Sequence, residues 1–214
     1  MKDVIIVCAG NRAKTIHEYI NWANKAADEN KQERPYNLLG FINDIPDALE
    51  GSGIVEPILG TIKDWEPREN EWYIMGTSDP KNKEKLAVML KDRGCRFMSF
   101  VAPNVFIPSD LVMGEGCVVE AYRIGCCVKL GDFVSINSSM IMSGATIDSY
   151  STTTGFTVVE KAYVGKRVFI GSHAVISEGV HIADDARIGI GSIVTEDVEK
   201  EAVVFGIPAK KAGW

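Results

Sequence analysis

The sequence lacks any apolar run long enough to cross a membrane, since a spanning helix needs about 20 such residues. Positive charge is also scarce: 23 Lys and Arg stand against 29 Asp and Glu, for a net charge of −6. This balance argues against bulk attraction to nucleic acid or to an anionic membrane. The start, Met1-Lys2-Asp3, leads straight into a strand pattern without the features of a secretory signal. We therefore expect a cytoplasmic protein with no membrane insertion and no nucleic-acid partner.

Cysteine and histidine are too few and too scattered for a disulfide framework or a metal site. The five cysteines are odd in number and include no CxxC pair, and the chain has three histidines. Reduced thiols are the better interpretation, and no metal is predicted. The 214 residues are 46% hydrophobic, which excludes disorder and suffices for one large domain or two small ones.

A period of six residues runs through the second half of the chain. Fifteen of sixteen marked positions are apolar, and the gaps are six residues except for two of five. A helix repeats at 3.6 residues and a strand at 2, so this spacing indicates a parallel β-helix. An ordinary sandwich of short strands is the alternative, but it would not hold one phase for so long. The marked residues are Phe106, Val112, Val118, Ile124, Leu130, Ile136, Ile141, Ile147, Thr153, Val159, Val164, Ile170, Ile176, Ile182, Ile188 and Val194.

The first half has a different pattern, in which apolar strands alternate with helices. Strands are predicted at 4–10, 38–42, 72–77 and 97–101, with helices after the first and from Pro80. This alternation predicts a small parallel α/β sheet, a Rossmann-like domain over residues 1–102. The β-helix with its tail would then span 103–214.

Ligands of such sheets bind at the carboxyl ends of the strands. The candidate residues there are Gly10-Asn11, Asn43-Asp44 and Gly76-Thr77. A glycine turn feeding a helix N-terminus suits an anion, and Asp44 suits a ribose hydroxyl. The full GxGxxG fingerprint is absent, so a nucleotide with one pyrophosphate fits better than a dinucleotide. The alternative is that these are ordinary turn residues.

A Rossmann-like domain followed by hexapeptide repeats and a Gly206-Ile207-Pro208-Ala209-Lys210 ending resembles the hexapeptide-repeat sugar O- and N-acyltransferases. Within them, the chain is most similar to the group that acylates nucleotide-linked amino sugars in bacillosamine-type and O-antigen pathways, or sialic acid. The resemblance implies a left-handed coil, a homotrimer with sites between neighbouring β-helices, and acetyl-CoA or another short acyl-CoA as donor. It also implies that the N-terminal domain binds a nucleotide-linked amino sugar for glycan synthesis.

The sequence departs from this family at its two histidines. The position of the catalytic histidine falls on Ser143, and that of a second histidine falls on Thr152. Stacking of the coils suggests Cys126 below Ser143 and Lys161 above it. Lys161, Asp148 and Glu160 are further candidates for proton transfer or charge stabilisation. For Lys161, a solvated lysine at a coil edge is the favoured alternative. His17, His173 and His181 lie elsewhere in the chain.

Without a histidine base, worth about 10²–10⁴-fold, an amine is a more feasible acceptor than a hydroxyl. The sequence therefore predicts an N-acyltransferase; the alternatives are an inactive sugar-nucleotide-binding trimer and an acyltransferase for another amine. Family position suggests that Gly155 and Gly171 border the pantetheine. Pro208, Lys210 and Lys211 follow the last coil, where the lysines suit the CoA phosphates or form a basic tail. Trp214 suits the adenine or a trimer surface.

Overall fold

The N-terminal part is a five-stranded parallel sheet with one helix on each face. We analysed a computed structural model that describes residues 1–212, so Trp214 lies outside the described residues. The strands pair in the order β3-β2-β1-β4-β5. The elements are β1 (Lys2–Val7), α1 (Asn11–Glu29), β2 (Tyr36–Ile42), β3 (Ile58–Gly60), β4 (Glu71–Met75), α2 (Pro80–Asp92) and β5 (Arg96–Phe97).

The central strand β1 is apolar at successive positions because both of its faces are covered. Val4 and Ile6 pack in the cluster that contains the buried face of α1. Ile5 and Val7 pack in the cluster that contains α2. The alternation of side chains along a strand therefore assigns one helix to each face of the sheet.

The rest of the chain is a left-handed parallel β-helix, or solenoid, built of very short strands. The last two strands of the chain pair as an antiparallel hairpin. The strands are β6 (Phe100–Val101), β7 (Val112–Met113), β8 (Val118–Ile124), β9 (Lys129–Leu130), β10 (Ser135–Ile141), β11 (Thr146–Ile147), β12 (Thr152–Thr153), β13 (Val158–Val159), β14 (Tyr163–Val164), β15 (Phe169–Ile170), β16 (Val175–Ile176), β17 (His181–Ile182), β18 (Arg187–Ile188), β19 (Ile193–Val194), β20 (Val203–Gly206) and β21 (Ala209–Lys211).

Three ladders of parallel strands form the three faces of the solenoid. Face 1 contains β6, the start of β8, the start of β10, β12, β15, β18 and β20. Face 2 contains the ends of β8 and β10, followed by β13, β16 and β19. Face 3 contains β7, β9, β11, β14 and β17. We name each corner by one residue. The Gly155 corner joins face 1 to face 2, the Ser143 corner joins face 2 to face 3, and the Asp148 corner joins face 3 to face 1.

The predicted inward positions are confirmed from Ile124 onward and are wrong before it. The thirteen marked residues from Ile124 to Val194 are all buried inside the coil. Phe106 and Val112 are instead 80% and 58% exposed, and Val118 packs with the N-terminal core. The inward residues at this end are Met113 and Val119, which align with Leu130 and Ile136. A shift of one residue exchanges the two faces of a strand, and each of these strands offers two adjacent apolar residues, so the sequence alone left the phase open.

Small and polar residues inside the coil have specific neighbours. A Cβ on Gly125 would lie 2.4 Å from the backbone nitrogen of Ser143, so only glycine lets these two coils stack. Thr153, the one polar residue in the hexapeptide series, is fully buried. Its hydroxyl donates to Ser139 Oγ at 2.9 Å, which satisfies a polar group that burial would otherwise penalise.

The junction between sheet and solenoid differs from the predicted pattern. The predicted strand 97–101 is divided: β5 pairs with β4 of the sheet, whereas β6 pairs with β8 of the solenoid. The solenoid ladder thus begins at Phe100, just before the predicted boundary at 102. The short edge strand β3 was not predicted, because its three residues are only partly buried and carry little pattern.

Neither helix in residues 1–212 combines the length and apolar character that a membrane crossing requires. Within the same residues, no group of three or more His, Cys, Asp or Glu side chains is arranged to hold a metal ion.

Truncating an inward residue of the solenoid should destabilise the protein far more than truncating an outward one. We expect Val164→Ala, at a fully buried site, to lower the free energy of unfolding by about 2 kcal/mol, since two methyl groups leave the core. Val112→Ala, at the exposed strand position, should change it by less than about 0.5 kcal/mol. Urea denaturation of both variants tests this, and equal losses would contradict the assigned phase.

Candidate functional site

The loops after β1, β2 and β4 meet at one edge of the N-terminal sheet. Val7 pairs with Ile42 on one side and with Met75 on the other, so the three strands end side by side. We call the residues that follow them the sheet edge, which is the region where open parallel sheets bind ligands. The structure thus brings together all six residues predicted there: Gly10, Asn11, Asn43, Asp44, Gly76 and Thr77.

Gly10 and Gly76 are glycines for different reasons. A Cβ on Gly76 would lie 2.5 Å from the Val7 carbonyl oxygen, so this glycine permits close packing of β4 on β1. A Cβ on Gly10 would meet no atom within 4 Å. Gly10 precedes α1, whose N-terminus has no side-chain cap. The first backbone N–H groups of α1, starting at Asn11, therefore receive no side-chain acceptor from the N-cap, and such groups suit an anion.

Asn43 and Asp44 shape the sheet edge through bonds inside the protein. Asn43 Oδ1 accepts from the Ala9 backbone N–H at 3.2 Å. Asp44 Oδ1 accepts from the backbone N–H groups of Ile62 at 2.8 Å and Lys63 at 3.2 Å. One oxygen of each side chain thus holds a neighbouring loop, which is the turn role that the sequence left as the alternative.

A partly buried ion pair joins the start of α1 to the Gly155 corner of the solenoid. Arg12 donates to Glu120, whose other oxygen accepts from Ser138 Oγ at 2.7 Å. Burial lowers the pKa of the Arg12 guanidinium, against the opposing effect of Glu120. Arg12 Nε and Nη2, and the side-chain oxygen of Asn137, are buried without a hydrogen-bond partner among the described residues. Buried polar atoms normally have partners, so this junction offers donors and an acceptor to a polar ligand or to water.

A second polar cluster lies where α2 meets face 1. Lys83 has no exposed surface, and its Nζ donates to Ser135 Oγ and Thr152 Oγ1 at 2.9 Å and to the Ser151 carbonyl at 3.1 Å. Thr152 Oγ1 in turn donates to the Ser78 carbonyl at 2.7 Å. We call Ser78, Lys83, Ser135, Ser151 and Thr152 the lysine cluster.

The four residues predicted to act in catalysis lie in three different places. Ser143 is exposed at its corner, and Asp148 is half-buried at the next corner. Thr152 is fully buried within the lysine cluster. Lys161 is exposed at the Ser143 corner, one coil above, where its side chain covers Gly144. Only Ser143 and Lys161 are therefore neighbours at the surface of one chain.

The Ser143 hydroxyl already accepts one hydrogen bond from the chain. The Cys126 backbone N–H donates to it at 3.2 Å. Ser149, at the Asp148 corner, accepts from the Asp132 backbone N–H in the same way at 3.1 Å. Both serines thus connect neighbouring coils, and the O–H of the exposed Ser143 is left to donate to a ligand.

Asp148 has partners for both carboxylate oxygens. The Ser149 backbone N–H donates to Oδ1 at 2.6 Å, and the Tyr163 hydroxyl donates to Oδ2 at 3.2 Å. Burial, together with the negative charge of Asp148, raises the pKa of Tyr163. The His181 ring stacks on Tyr163 with the ring centroids 4.7 Å apart.

The residues predicted to hold the acyl donor differ in how open they are. A Cβ on Gly155 would have its nearest neighbour at 3.9 Å, in Ser172, so the backbone at this corner is accessible. A Cβ on Gly171 would lie 2.8 Å from the Ile190 nitrogen, so coil stacking accounts for that glycine. Pro208 is exposed in the turn of the final hairpin. Lys210 and Lys211 are exposed and pair with Glu196 at 3.3 Å and Glu199 at 2.7 Å.

The three histidines are away from Ser143, as the sequence indicated. His17 is buried on α1 between Glu18 and Glu56. His173 is exposed at the Gly155 corner, 5.1 Å from the Phe156 ring by centroids. His181 lies on face 3.

Sequence reasoning missed the two junction residues Arg12 and Lys83. Lys83 had a signal, because it lies three residues before Leu86 and seven before Leu90, on the apolar stripe of α2. Arg12 had none, since its partner Glu120 is 108 residues away in the chain.

Comparisons with known proteins agree with this architecture. A family model described as the GMPPB C-terminal domain matches residues 101–202. The galactoside O-acetyltransferase of Escherichia coli is 36% identical over 151 residues, which cover 64% of this chain and 72% of that protein. The chain spans 23% of the bifunctional protein GlmU of Rhizobium rhizogenes, which it matches over 106 residues.

Two solved structures share the fold over almost the whole chain. The acetyltransferase domain of PglB from Neisseria gonorrhoeae superposes with a TM-score of 0.83 at 16% identity, covering 99% of this chain and 100% of that one. PerB from Caulobacter crescentus, in complex with CoA and GDP-perosamine, superposes with a TM-score of 0.82 at 20% identity. The match covers 100% of this chain and 98% of that one.

The Escherichia coli enzyme thus shares more than a third of the aligned residues with this chain, which covers 72% of its length. The chain belongs to the hexapeptide-repeat acetyltransferase family.

Proposed function

We propose that this protein transfers an acetyl group, or another short acyl group, from acyl-CoA to the amine of a nucleotide-linked amino sugar in glycan synthesis. The observation that carries the proposal is the end-to-end fold likeness to PerB, whose structure holds CoA and GDP-perosamine. That likeness includes the N-terminal sheet as well as the repeat, and a sheet of this kind is the part that would recognise a nucleotide.

The sheet edge supports binding of the nucleotide by residues 1–102, which we propose form a Rossmann-like unit. The uncapped start of α1, the open space at Gly10 and the free amides near Asn11 suit a pyrophosphate. The unpartnered atoms of Arg12 and Asn137 lie where this edge meets the solenoid. They suit the polar groups of the sugar, whose hydroxyls both donate and accept.

The solenoid, residues 103–214 in this proposal, would hold the acyl donor. The open backbone at Gly155 suits the pantetheine arm, whose amides need donors and acceptors. Lys210 and Lys211 form exposed ion pairs, which are screened by solvent and contribute little, so exchange of a glutamate for a CoA phosphate costs little. Gly171 is closed by packing and contributes only the shape of the groove.

The chemistry needs a neutral amine, a positioned thioester and a donor to the developing oxyanion. The amine nitrogen attacks the thioester carbonyl carbon, the CoA thiolate leaves, and the nitrogen releases one proton. Ser143 O–H would donate to the oxyanion or to an ordered water, and the Lys161 cation would favour the neutral form of the amine. Two candidates remain to accept the proton. The half-buried Glu160 lies at the Ser143 corner, next to Lys161, whereas Asp148 lies at a different corner and would reach the amine only as part of a neighbouring copy.

Exposed rings along the Gly155 corner support assembly as a homotrimer. Tyr122 and Phe156 stack with centroids 5.5 Å apart and are 60% and 53% exposed, and the exposed Ile190 continues this column. Apolar surface of this kind marks interaction sites.

The free thiols of Cys126 and Cys127, both exposed, support a reducing cytoplasmic setting.

The serine and threonine at the two histidine positions favour a second candidate, a trimer that binds sugar nucleotides without catalysis. In that case Thr152 serves only the lysine cluster and Ser143 only the stacking of coils. An acyltransferase for another amine is the related alternative, in which the sheet edge recognises a different acceptor.

An assay of thiol release from acetyl-CoA with paired sugar nucleotides separates these candidates. We expect turnover with nucleotides that carry an amino sugar and at least about 10²-fold less with the matching hydroxyl sugars, because no imidazole is present to take the hydroxyl proton. Calorimetry with both ligands is the companion measurement. Nucleotide binding without acetyl-CoA binding would leave the second candidate, and binding of neither would refute both.

Replacing Ser143 should lower turnover, whereas replacing its structural counterpart should not. Ser143→Ala removes the proposed donor, and we expect kcat to fall about 10²–10³-fold, the range for one oxyanion donor. Ser149→Ala removes the same type of bond between coils and is the matched control, with kcat expected within twofold of wild type. Steady-state kinetics decide, and equal effects would assign Ser143 to stacking alone.

A further inference from the structure

Lys83 is a fully buried lysine with no buried acidic side chain as a partner among the described residues. It lies on the apolar stripe of α2, and all three of its hydrogen-bond partners belong to the solenoid and are uncharged: Ser135 Oγ, the Ser151 carbonyl and Thr152 Oγ1. Among residues 1–212 it takes part in no ion pair. Three titratable groups lie within electrostatic reach of it. The Asp79 carboxylate favours its charged form and Arg12 opposes it, whereas burial raises the pKa of the Cys117 thiol to about 11, so Cys117 carries no charge near neutral pH.

The lysine cluster can satisfy either protonation state of this amine. An ammonium donates three N–H groups to the three acceptors. A neutral amine donates two, to Ser151 and Thr152, while its lone pair accepts from the Ser135 hydroxyl, which is free to rotate. Only the ammonium carries the cost of burying a charge, and burial accordingly lowers the pKa of Lys83 to about 7.

The cluster also fixes the sheet edge on the solenoid. Thr152 donates to the Ser78 carbonyl at 2.7 Å, and Asn137 Nδ2 donates to Ser78 Oγ at 3.3 Å. Ser78 directly follows Gly76 and Thr77. The loop after β4 is therefore held by the same residues that surround the Lys83 amine.

We propose that Lys83 is a positioning residue: as a neutral amine it holds the loop 76–79 against face 1, and its protonation loosens that contact. The link to catalysis rests on the proposed function, because it requires the sheet edge to bind the acceptor nucleotide. The docking of the loop on face 1 does not depend on the proposed function.

The direction of the pH dependence follows from proton linkage. The docked state binds fewer protons than the open state between a pKa of about 7 and the ordinary lysine value of 10.5. Docking therefore strengthens as the pH rises through this window, and the gain is lost once the pH falls to 7 or below. The ion pairs Arg167–Glu84 and Arg187–Asp79 also join the α2 region to the solenoid.

Hydrogen–deuterium exchange of the whole protein at pH 6.5 and pH 9 tests the proposal without any substrate. After correction for intrinsic rates, we expect the opening constant of the segment 76–92 to be about 10–100-fold larger at pH 6.5 in the wild type. Lys83→Met should abolish this difference. Lys85→Met, which alters an exposed lysine of the same helix, is the matched control and should behave as wild type.

A measurement on the wild type covers the case in which Lys83→Met does not fold. In protein labelled at the lysine side chains, NMR should detect one amine that titrates near neutral pH. Titration of every lysine above pH 9, or an equal pH dependence of exchange in Lys83→Met and wild type, would overturn the proposal. Loss of acyl transfer with the exchange behaviour intact would instead count against the proposed function alone.

Discussion

The inward columns of aliphatic side chains are the constraint on which the rest of this structure depends. Each coil must place one side chain from every face into a narrow interior, and the next coil must repeat this at the strand spacing of about 4.8 Å. The interior is thus occupied along the whole solenoid, and the strands contribute only two or so residues per face. Polar chemistry in the solenoid is left to the corners and to the outward positions, where Ser143, Asp148, Thr152 and Lys161 are found.

One outward face is not free, because the N-terminal part covers it. The outward residues of face 1 include Val118, Ser135 and Thr152, which align on neighbouring rungs. Val118 extends the apolar core around α1, whereas Ser135 and Thr152 receive the Lys83 amine. The contact is therefore apolar at one end and polar at the other. A polar junction needs each donor and acceptor matched, so it specifies how the sheet edge sits on the solenoid more strictly than apolar packing would.

The two residues that stand where the family resemblance predicts histidines, Thr152 and Ser143, have different structural roles in this chain. The hydroxyl of Thr152 bridges Lys83 and Ser78, so this position is engaged in joining the two parts of the protein. At Ser143 the hydroxyl joins two coils while keeping its proton for another partner. The two positions thus differ: the Thr152 side chain is buried, and the Ser143 side chain lies at the surface.

Much of this arrangement was predictable, because it depends on local pattern. A six-residue period survives in the sequence wherever one aliphatic residue stands alone, as at Ile147 or Val164, and there the inward positions were predicted correctly. The prediction of the inward residue failed at Val112 and Val118, because a second apolar residue follows each of them and either could point inward. The sheet edge was predictable since parallel strands end together, but the internal bonds of Asn43 and Asp44 were not, because their partners are in other loops.

The sequence by itself therefore determined the solenoid, the alternating sheet and the family to which they belong, since each is a periodic or local property of the chain. Only the tertiary structure decided which polar residues meet: Arg12 with Glu120, and Lys83 with Ser135 and Thr152. These pairs are separated by 52 to 108 residues, and their energies depend on burial and on the geometry of a junction that no local pattern encodes.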